Sequence, residues 1–86
     1  MSNLTGWHAL VTGANRGIGA AIVRALSGEG ASVTLMVRDA QRAQAVAEAL
    51  RGPHAVVVAD LTDREVVQAA CAEATTRLGP VDILDN

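Results

Sequence analysis

The sequence predicts an α/β fold with a doubly wound parallel sheet, in one domain over residues 1–86. Short apolar runs of strand length alternate with stretches whose apolar residues recur about every 3.6 residues, the period of a helix. A glycine-rich turn joins the first such run to the first helical stretch. Hydrophobic residues make up 50% of the chain, but Trp7 is its only aromatic residue. The core must therefore consist of aliphatic residues, which suits a parallel sheet covered by helices.

The first strand is predicted over residues 7–12, directly before the glycine-rich turn at residues 13–19. A helix follows the turn, and its spacing predicts a buried face formed by Ile18, Ile22, Ala25 and Leu26. This helix is expected to end near residues 28–30, where Gly30 suits the left-handed position after a helix.

The second strand is predicted over residues 31–37, and Asp39 is the expected N-cap of the second helix. The apolar residues of that helix follow the i, i+3, i+4, i+7 pattern of a buried stripe: Ala43, Val46, Ala47 and Leu50. Gly52 and Pro53 are expected to stop it.

The third strand is predicted over residues 55–59. Thr62 and Glu65 then have the spacing of a capping box at the start of a third helix. Its buried stripe is predicted to consist of Val67, Ala70, Cys71, Ala74 and Leu78. Gly79-Pro80 ends this helix, and residues 81–84 begin a fourth strand. Right-handed crossovers turn this βαβαβαβ succession into a parallel sheet of order 3-2-1-4.

The glycines of the turn suit a phosphate-binding loop. Gly13 allows a sharp turn, Gly17 allows backbone to approach a pyrophosphate, and Gly19 allows the helix to pack closely on the strand. The N-terminus of the following helix would face the anion with its N–H groups. A tight turn without a ligand is the simpler alternative.

The spacing T-G-x-x-x-G-x-G over residues 12–19 resembles the short-chain dehydrogenase/reductase family. The resemblance extends along the whole chain and implies a partial Rossmann-type domain that binds a nicotinamide dinucleotide. It implies that Asn15 and Ile18 belong to the cofactor-binding turn, and that Asp60 and Leu61 lie beside the adenine ring. Asn86 matches the first residue of the family's Asn-Asn-Ala-Gly motif. Without the resemblance, Asp60 would be interpreted as a residue that caps or flanks the third helix.

The end of the second strand indicates which dinucleotide is bound. An acid at this position selects NAD, whereas an arginine accommodates the 2′-phosphate of NADP. Here Val37 is followed by Arg38, and Arg16 adds a second positive charge from the turn, so NADP(H) is expected over NAD(H). Alternatively, both arginines are solvated surface residues, or Asp39 contacts a ribose hydroxyl.

Charge and composition limit which other partners the chain is expected to bind. The net charge is −2 and the basic residues are scattered singly, so nucleic acid or an anionic membrane surface has little support. Neither a membrane-spanning run nor a signal-peptide pattern is visible, and a cytoplasmic location is expected. Cys71 is the only cysteine and is expected to pack as a small hydrophobe. His8 and His54 lack partners at metal or triad spacing, so we expect structural or surface roles and no metal site.

The family resemblance also implies a catalytic Ser, Tyr and Lys beyond residue 86, with the Tyr as general acid/base. This chain contains no Tyr and no Lys, so we expect it to lack dehydrogenase activity by itself. We interpret it as the truncated N-terminal part of an NADP-dependent oxidoreductase for a carbonyl or hydroxyl substrate, with a homo-oligomeric parent. A non-catalytic nucleotide-binding or assembly module is the alternative. Asp85 stands where the family has an apolar residue, on the strand face that a helix is expected to cover.

Overall fold

The computed structural model describes residues 3–14 and 17–85. In these residues four strands alternate with three helices: β1 (His8–Thr12), α1 (Gly17–Gly28), β2 (Ser32–Val37), α2 (Ala40–Ala47), β3 (His54–Val58), α3 (Arg64–Leu78) and β4 (Ile83–Asp85). All strand pairs are parallel, and the sheet order is β3-β2-β1-β4. The predicted α/β class and the strand order 3-2-1-4 are therefore confirmed.

Helices cover both faces of the sheet, because successive side chains of a strand point to opposite faces. Ala9 and Val11 of β1 belong to the apolar cluster that α1 and α2 complete on one face. Leu10, between them, belongs to the cluster that α3 completes on the other face. Within the described residues, no helix has both the length and the apolar character needed to cross a membrane.

The buried side of α1 differs from the prediction. Ala20 and Val23 are buried, and Ile22 and Leu26 pack against the same cluster, but Ile18 is 80% exposed. Ala25 is exposed as well. The reason is that Gly19 lies against the backbone of Gly13: a Cβ placed on Gly19 would be 2.5 Å from the Gly13 carbonyl oxygen. With Gly19 facing the strand, Ile18 is rotated away by about 100°.

The end of α1 is the predicted one. Gly30 has a φ of 98°, in the region that favours glycine. Its N–H donates to the Ser27 carbonyl at 3.0 Å, and the Ala31 N–H donates to the Leu26 carbonyl at 3.1 Å. These two bonds form a Schellman motif, which satisfies carbonyls that the helix itself leaves unpaired.

The helix α2 ends at Ala47, earlier than the predicted stop at Gly52-Pro53. The N–H groups of Ala49 and Leu50 donate to carbonyls three residues back, at 3.2 and 3.0 Å, so the chain leaves the helix through a tighter turn. Leu50 lies beyond the helix but still packs against the α1/α2 cluster. The rest of the predicted stripe, Ala43, Val46 and Ala47, is buried.

The predicted capping box of α3 is wrong. Asp63 is the N-cap, and its Oδ1 accepts a hydrogen bond from the Val66 N–H at 3.3 Å. Thr62 does not cap the helix, because its N–H and its hydroxyl both donate to Asp60 Oδ1, at 2.9 and 2.7 Å. With the cap one residue later, Glu65 no longer has capping-box spacing. Farther along, four residues of the predicted stripe face the core: Ala70 and Ala74 are buried, with Val67 and Cys71 packed beside them. The fifth, Leu78, is half-buried.

His8 has a structural role. Its ring is buried, with Nδ1 2.8 Å from the Gly79 carbonyl oxygen and Nε2 2.7 Å from Thr34 Oγ1. The Asp82 side chain accepts from the His8 N–H at 2.9 Å, and β4 begins at Ile83, two residues later than predicted. His8 therefore links β1 to β2 and to the end of α3, whereas His54 lies exposed at the start of β3.

We expect Gly19→Ala to lower the free energy of unfolding by about 1–3 kcal/mol, because the added methyl group would press on the Gly13 backbone. Gly28→Ala is the matched control: it lies in the same helix, and no described atom comes within 4 Å of its added Cβ. Gly28→Ala should raise the free energy of unfolding by about 0.4–1 kcal/mol. Urea unfolding followed by circular dichroism measures both values. Equal effects of the two substitutions would contradict the close approach of α1 to β1.

Candidate functional site

A cleft of about 810 Å³ lies at the carboxyl ends of β1, β2 and β3. Parallel strands all end at the same edge of a sheet, and doubly wound folds bind their ligands at this edge. We call it the carboxyl-edge cleft. Its described lining comes from the glycine-rich turn, the β2–α2 junction and the residues at and after the end of β3: Gly13, Met36, Val37, Arg38, Asp39, Ala40, Arg42, Val58, Ala59 and Leu61.

The described part of the glycine-rich turn presents open backbone. Gly13 and Gly17 have φ values of 64° and 60°, which a side chain would strain. No described atom lies within 4 Å of a Cβ added to either residue. The Gly13 N–H donates to the Met36 carbonyl at 3.0 Å, so the turn is attached to the end of β2. The predicted site residues Asn15 and Arg16 lie outside the described residues.

The end of β2 brings charged side chains to the cleft. Val37 is buried, and Arg38 and Asp39 after it are exposed and line the cleft. Asp39 Oδ1 accepts from the N–H groups of Gln41 and Arg42, at 2.9 and 3.3 Å. The predicted N-cap of α2 is therefore confirmed.

Arg42 is a cleft residue that the sequence did not indicate. It lies in the first turn of α2, and its Nε is 3.8 Å from Asp39 Oδ2. Its spacing of three residues from the N-cap is the available sequence signal, because residues i and i+3 of a helix lie on the same side. Arginine is common on helix surfaces, and only the packing of α2 at the end of β2 shows that this one faces a cleft.

Asp60 and Leu61 follow β3 at the same edge. Leu61 lines the cleft and is 53% exposed. Asp60 does not cap α3; it accepts the two hydrogen bonds from Thr62 described above. The pKa of Asp60 is lowered from its ordinary value of 3.8, mainly by the hydrogen bond from the Thr62 N–H. The hydrogen bond from the Thr62 hydroxyl is the second cause. The nearby positive charge of Arg38 lowers this pKa further, so Asp60 is ionised at neutral pH.

Two other residues singled out from the sequence lie near the turn. Ile18 is at the start of α1, and its exposed side chain does not belong to the core. Asp85 pairs in register with Val11 of β1, and its backbone carbonyl accepts from the Thr12 hydroxyl at 3.4 Å. The Asp85 side chain is half-buried. Asn86, the last predicted site residue, lies outside the described residues.

The glycine-rich turn between a buried strand and a helix, beside a cleft at the carboxyl edge, matches the resemblance noted in the sequence. A model of the short chain dehydrogenase family matches residues 7–86. The chain belongs to the short-chain dehydrogenase family. Members of this family are oxidoreductases that bind a nicotinamide cofactor. The Rossmann-type fold expected from the resemblance is confirmed.

Three curated relatives are 40–45% identical to this chain over the aligned residues. A glycine betaine reductase of Emericella nidulans is 45% identical over 84 residues, which are 94% of this chain and 7% of that protein. A D-threitol dehydrogenase of Mycolicibacterium smegmatis is 42% identical over 86 residues, 96% of this chain and 33% of that protein. A gluconate 5-dehydrogenase of Gluconobacter oxydans is 40% identical over 89 residues, 98% of this chain and 34% of that protein.

Solved structures of the family have the same arrangement. A dehydrogenase/reductase from Sinorhizobium meliloti superposes with a TM-score of 0.91 at 44% identity, over 95% of this chain and 34% of that one. A short-chain dehydrogenase/reductase from Serratia marcescens gives 0.91 at 42% identity, over 96% of this chain and 36% of that one. The chain thus spans about a third of the length of these structures and at most about a third of the curated relatives.

We expect Thr62→Val to raise the pKa of Asp60 toward 3.8, because it removes a hydroxyl donor that stabilises the carboxylate form. The rise should be partial, since the N–H of residue 62 still donates. NMR titration of the Asp60 carboxyl carbon measures it. Thr76→Val, which removes a hydroxyl bonded to the Ala72 carbonyl within α3, is the control and should leave the Asp60 curve in place. An unchanged Asp60 pKa in Thr62→Val would show that the hydroxyl does not stabilise the carboxylate.

Proposed function

We propose that the chain is the NADP(H)-binding portion of an oxidoreductase that acts on a carbonyl or hydroxyl group. The observation that carries this proposal is the charge at the end of β2: Arg38 lines the carboxyl-edge cleft, and the strand ends in Val37 instead of an acid. In doubly wound folds this position reads the ribose of the adenosine half, and an arginine there suits a 2′-phosphate.

The described turn suits the pyrophosphate of such a cofactor. Gly13 and Gly17 leave open backbone beside the cleft, where a Cβ would reduce access. Asn15 and Arg16 are assigned to the same turn by the family resemblance alone. When bound, the nicotinamide ring supplies or accepts the hydride. The part of this chain is to hold and orient the dinucleotide.

For the adenine end we propose Asp60 and Leu61. Leu61 offers an exposed apolar side chain at the cleft, which suits the face of an aromatic base. Asp60, ionised at neutral pH, can accept a hydrogen bond from an amino group. Ile18 and Asn86 complete the proposed set on the strength of the family resemblance.

The substrate class rests on the relatives. Two of them are named as dehydrogenases, of D-threitol and of gluconate, and one as a glycine betaine reductase. The two dehydrogenase names support a reaction that interconverts a hydroxyl and a carbonyl group. The particular substrate would be selected by parts of a longer protein.

A non-catalytic nucleotide-binding or assembly module is the second candidate. Residues 1–86 contain no Tyr and no Lys, and the resemblance implies a catalytic Tyr and Lys beyond residue 86, so this stretch is compatible with either candidate. Sequencing the reading frame beyond residue 86 separates the candidates. A Tyr-x-x-x-Lys motif downstream favours the oxidoreductase, and a stop codon favours the module.

We expect the chain to bind NADPH at least about tenfold more tightly than NADH, since a charge-assisted contact contributes about 1.5–3 kcal/mol. Arg38→Ala should remove most of this preference by weakening NADPH binding. Fluorescence titration with both cofactors measures it, and Arg77→Ala in α3 is the control because it removes one exposed positive charge elsewhere. Equal affinities for the two cofactors, unchanged in Arg38→Ala, would contradict the assignment.

We also expect the purified 86-residue chain to show no dehydrogenase turnover. A positioned general acid or base contributes about 10²–10⁴-fold to such rates, and this chain lacks the family's proton donor. NADPH consumption with a panel of ketones measures it. Arg38→Ala prepared in parallel identifies contamination, because a contaminating enzyme would give the same rate in both preparations. Turnover that is lost in Arg38→Ala would contradict this prediction.

A further inference from the structure

The charges around the carboxyl-edge cleft suggest a phosphate ligand besides Arg38 and besides Arg16, which the family resemblance assigns to the turn. In the described residues, the lining carries two arginines, Arg38 and Arg42, and one carboxylate, Asp39. We propose that Arg42 is a direct ligand of the ribose 2′-phosphate and contributes to cofactor specificity. This inference rests on the proposed function, because it names a further residue for the same cofactor.

Among the described lining residues, Arg38 without Arg42 would leave no net positive charge for a phosphate. Asp39 lies next to Arg38 in the lining, and Asp60 is close enough for the charge of Arg38 to lower the Asp60 pKa. In the described lining, the single charges of Arg38 and Asp39 therefore cancel. A phosphomonoester carries a charge of about −1.5 to −2 at neutral pH. A second guanidinium is needed to make the described lining net positive, and Arg42 provides it.

The geometry of Arg42 leaves it able to bind a phosphate. Its contact with Asp39 is long, 3.8 Å, and the two side chains are 62% and 51% exposed. Exposed ion pairs of this kind contribute little, so exchange of the carboxylate for a phosphate costs little. The closest approach to Asp39 is through Nε, which leaves the terminal nitrogens of the guanidinium farther from the carboxylate and able to donate.

One carboxylate oxygen of Asp39 is engaged at the start of α2. Its Oδ1 is occupied by the N–H groups of Gln41 and Arg42 at the start of α2. The same capping arrangement places Arg42 in the first turn of α2, and Arg42 joins Arg38 in the lining. The N-cap bonds thus hold Asp39 at the N-terminus of α2, and the first turn of the same helix brings Arg42 to the cleft.

The test compares two probes that differ by the 2′-phosphate, adenosine 2′,5′-bisphosphate and 5′-AMP, bound to the 86-residue chain in calorimetric titrations. We expect Arg42→Gln to weaken binding of the bisphosphate by about tenfold and to leave 5′-AMP binding unchanged within about twofold. Arg38→Gln should do the same. Arg77→Gln, which also removes an exposed arginine from an intrahelical ion pair, should change neither.

Repeating the Arg42→Gln titration in an Asp39→Asn background shows whether Arg42 binds the phosphate directly or only neutralises Asp39. Asn caps helices as well as Asp, so α2 keeps its N-terminus while the negative charge is removed. If Arg42 binds the phosphate, Arg42→Gln still weakens bisphosphate binding in this background. If Arg42 only neutralises Asp39, the substitution has no effect there, and the inference is overturned.

The remaining outcomes are also distinct. If Arg38→Gln weakens bisphosphate binding and Arg42→Gln does not, the inference is overturned and the proposed function still stands. A wild-type chain that binds both probes equally would overturn the proposed function, and the inference with it.

Discussion

The close approach of Gly19 to the backbone of Gly13 is the constraint on which the rest of the structure depends. Only a residue without a side chain allows α1 to begin this near the end of β1. The contact decides which side of α1 faces the sheet, and it leaves Ile18 exposed. It also holds the turn where open glycine backbone adjoins the carboxyl edge. One backbone contact therefore determines both the packing of the first helix and the access to the candidate site.

The register of the parallel sheet then brings the separate parts of the site together. Thr12 at the end of β1 is paired with Met36, and Val37 at the end of β2 is paired with Val58. Because these pairs align the carboxyl ends, residues that are far apart in the chain meet at one edge. Most side chains in the strand interiors are aliphatic and buried, and the charged side chains of the site lie where the strands end.

Hydrogen bonds near helix N-termini organise the charges at this edge. The Asp39 carboxylate is bonded to N–H groups of α2, and the Asp60 carboxylate is bonded to Thr62 ahead of α3. Both acids are thereby held by local bonds at the edge where Arg38, Asp39 and Arg42 line the cleft. The arrangement of charges at the site thus depends on the hydrogen bonds near the helix N-termini as well as on which residues follow the strands.

The sequence by itself determined the α/β class, the strand order and the family, because these depend on periodicity and on a local motif. Local geometry likewise determined the Asp39 cap and the Gly30 helix end. The tertiary structure alone decided which face of α1 is buried, since that depends on a contact across the turn. It also moved the cap of α3 from Thr62 to the next residue, because Asp60 binds Thr62, and it brought Arg42 to the cleft. Each of these outcomes depends on which groups meet in the folded chain, which the spacing of residues along one element does not specify.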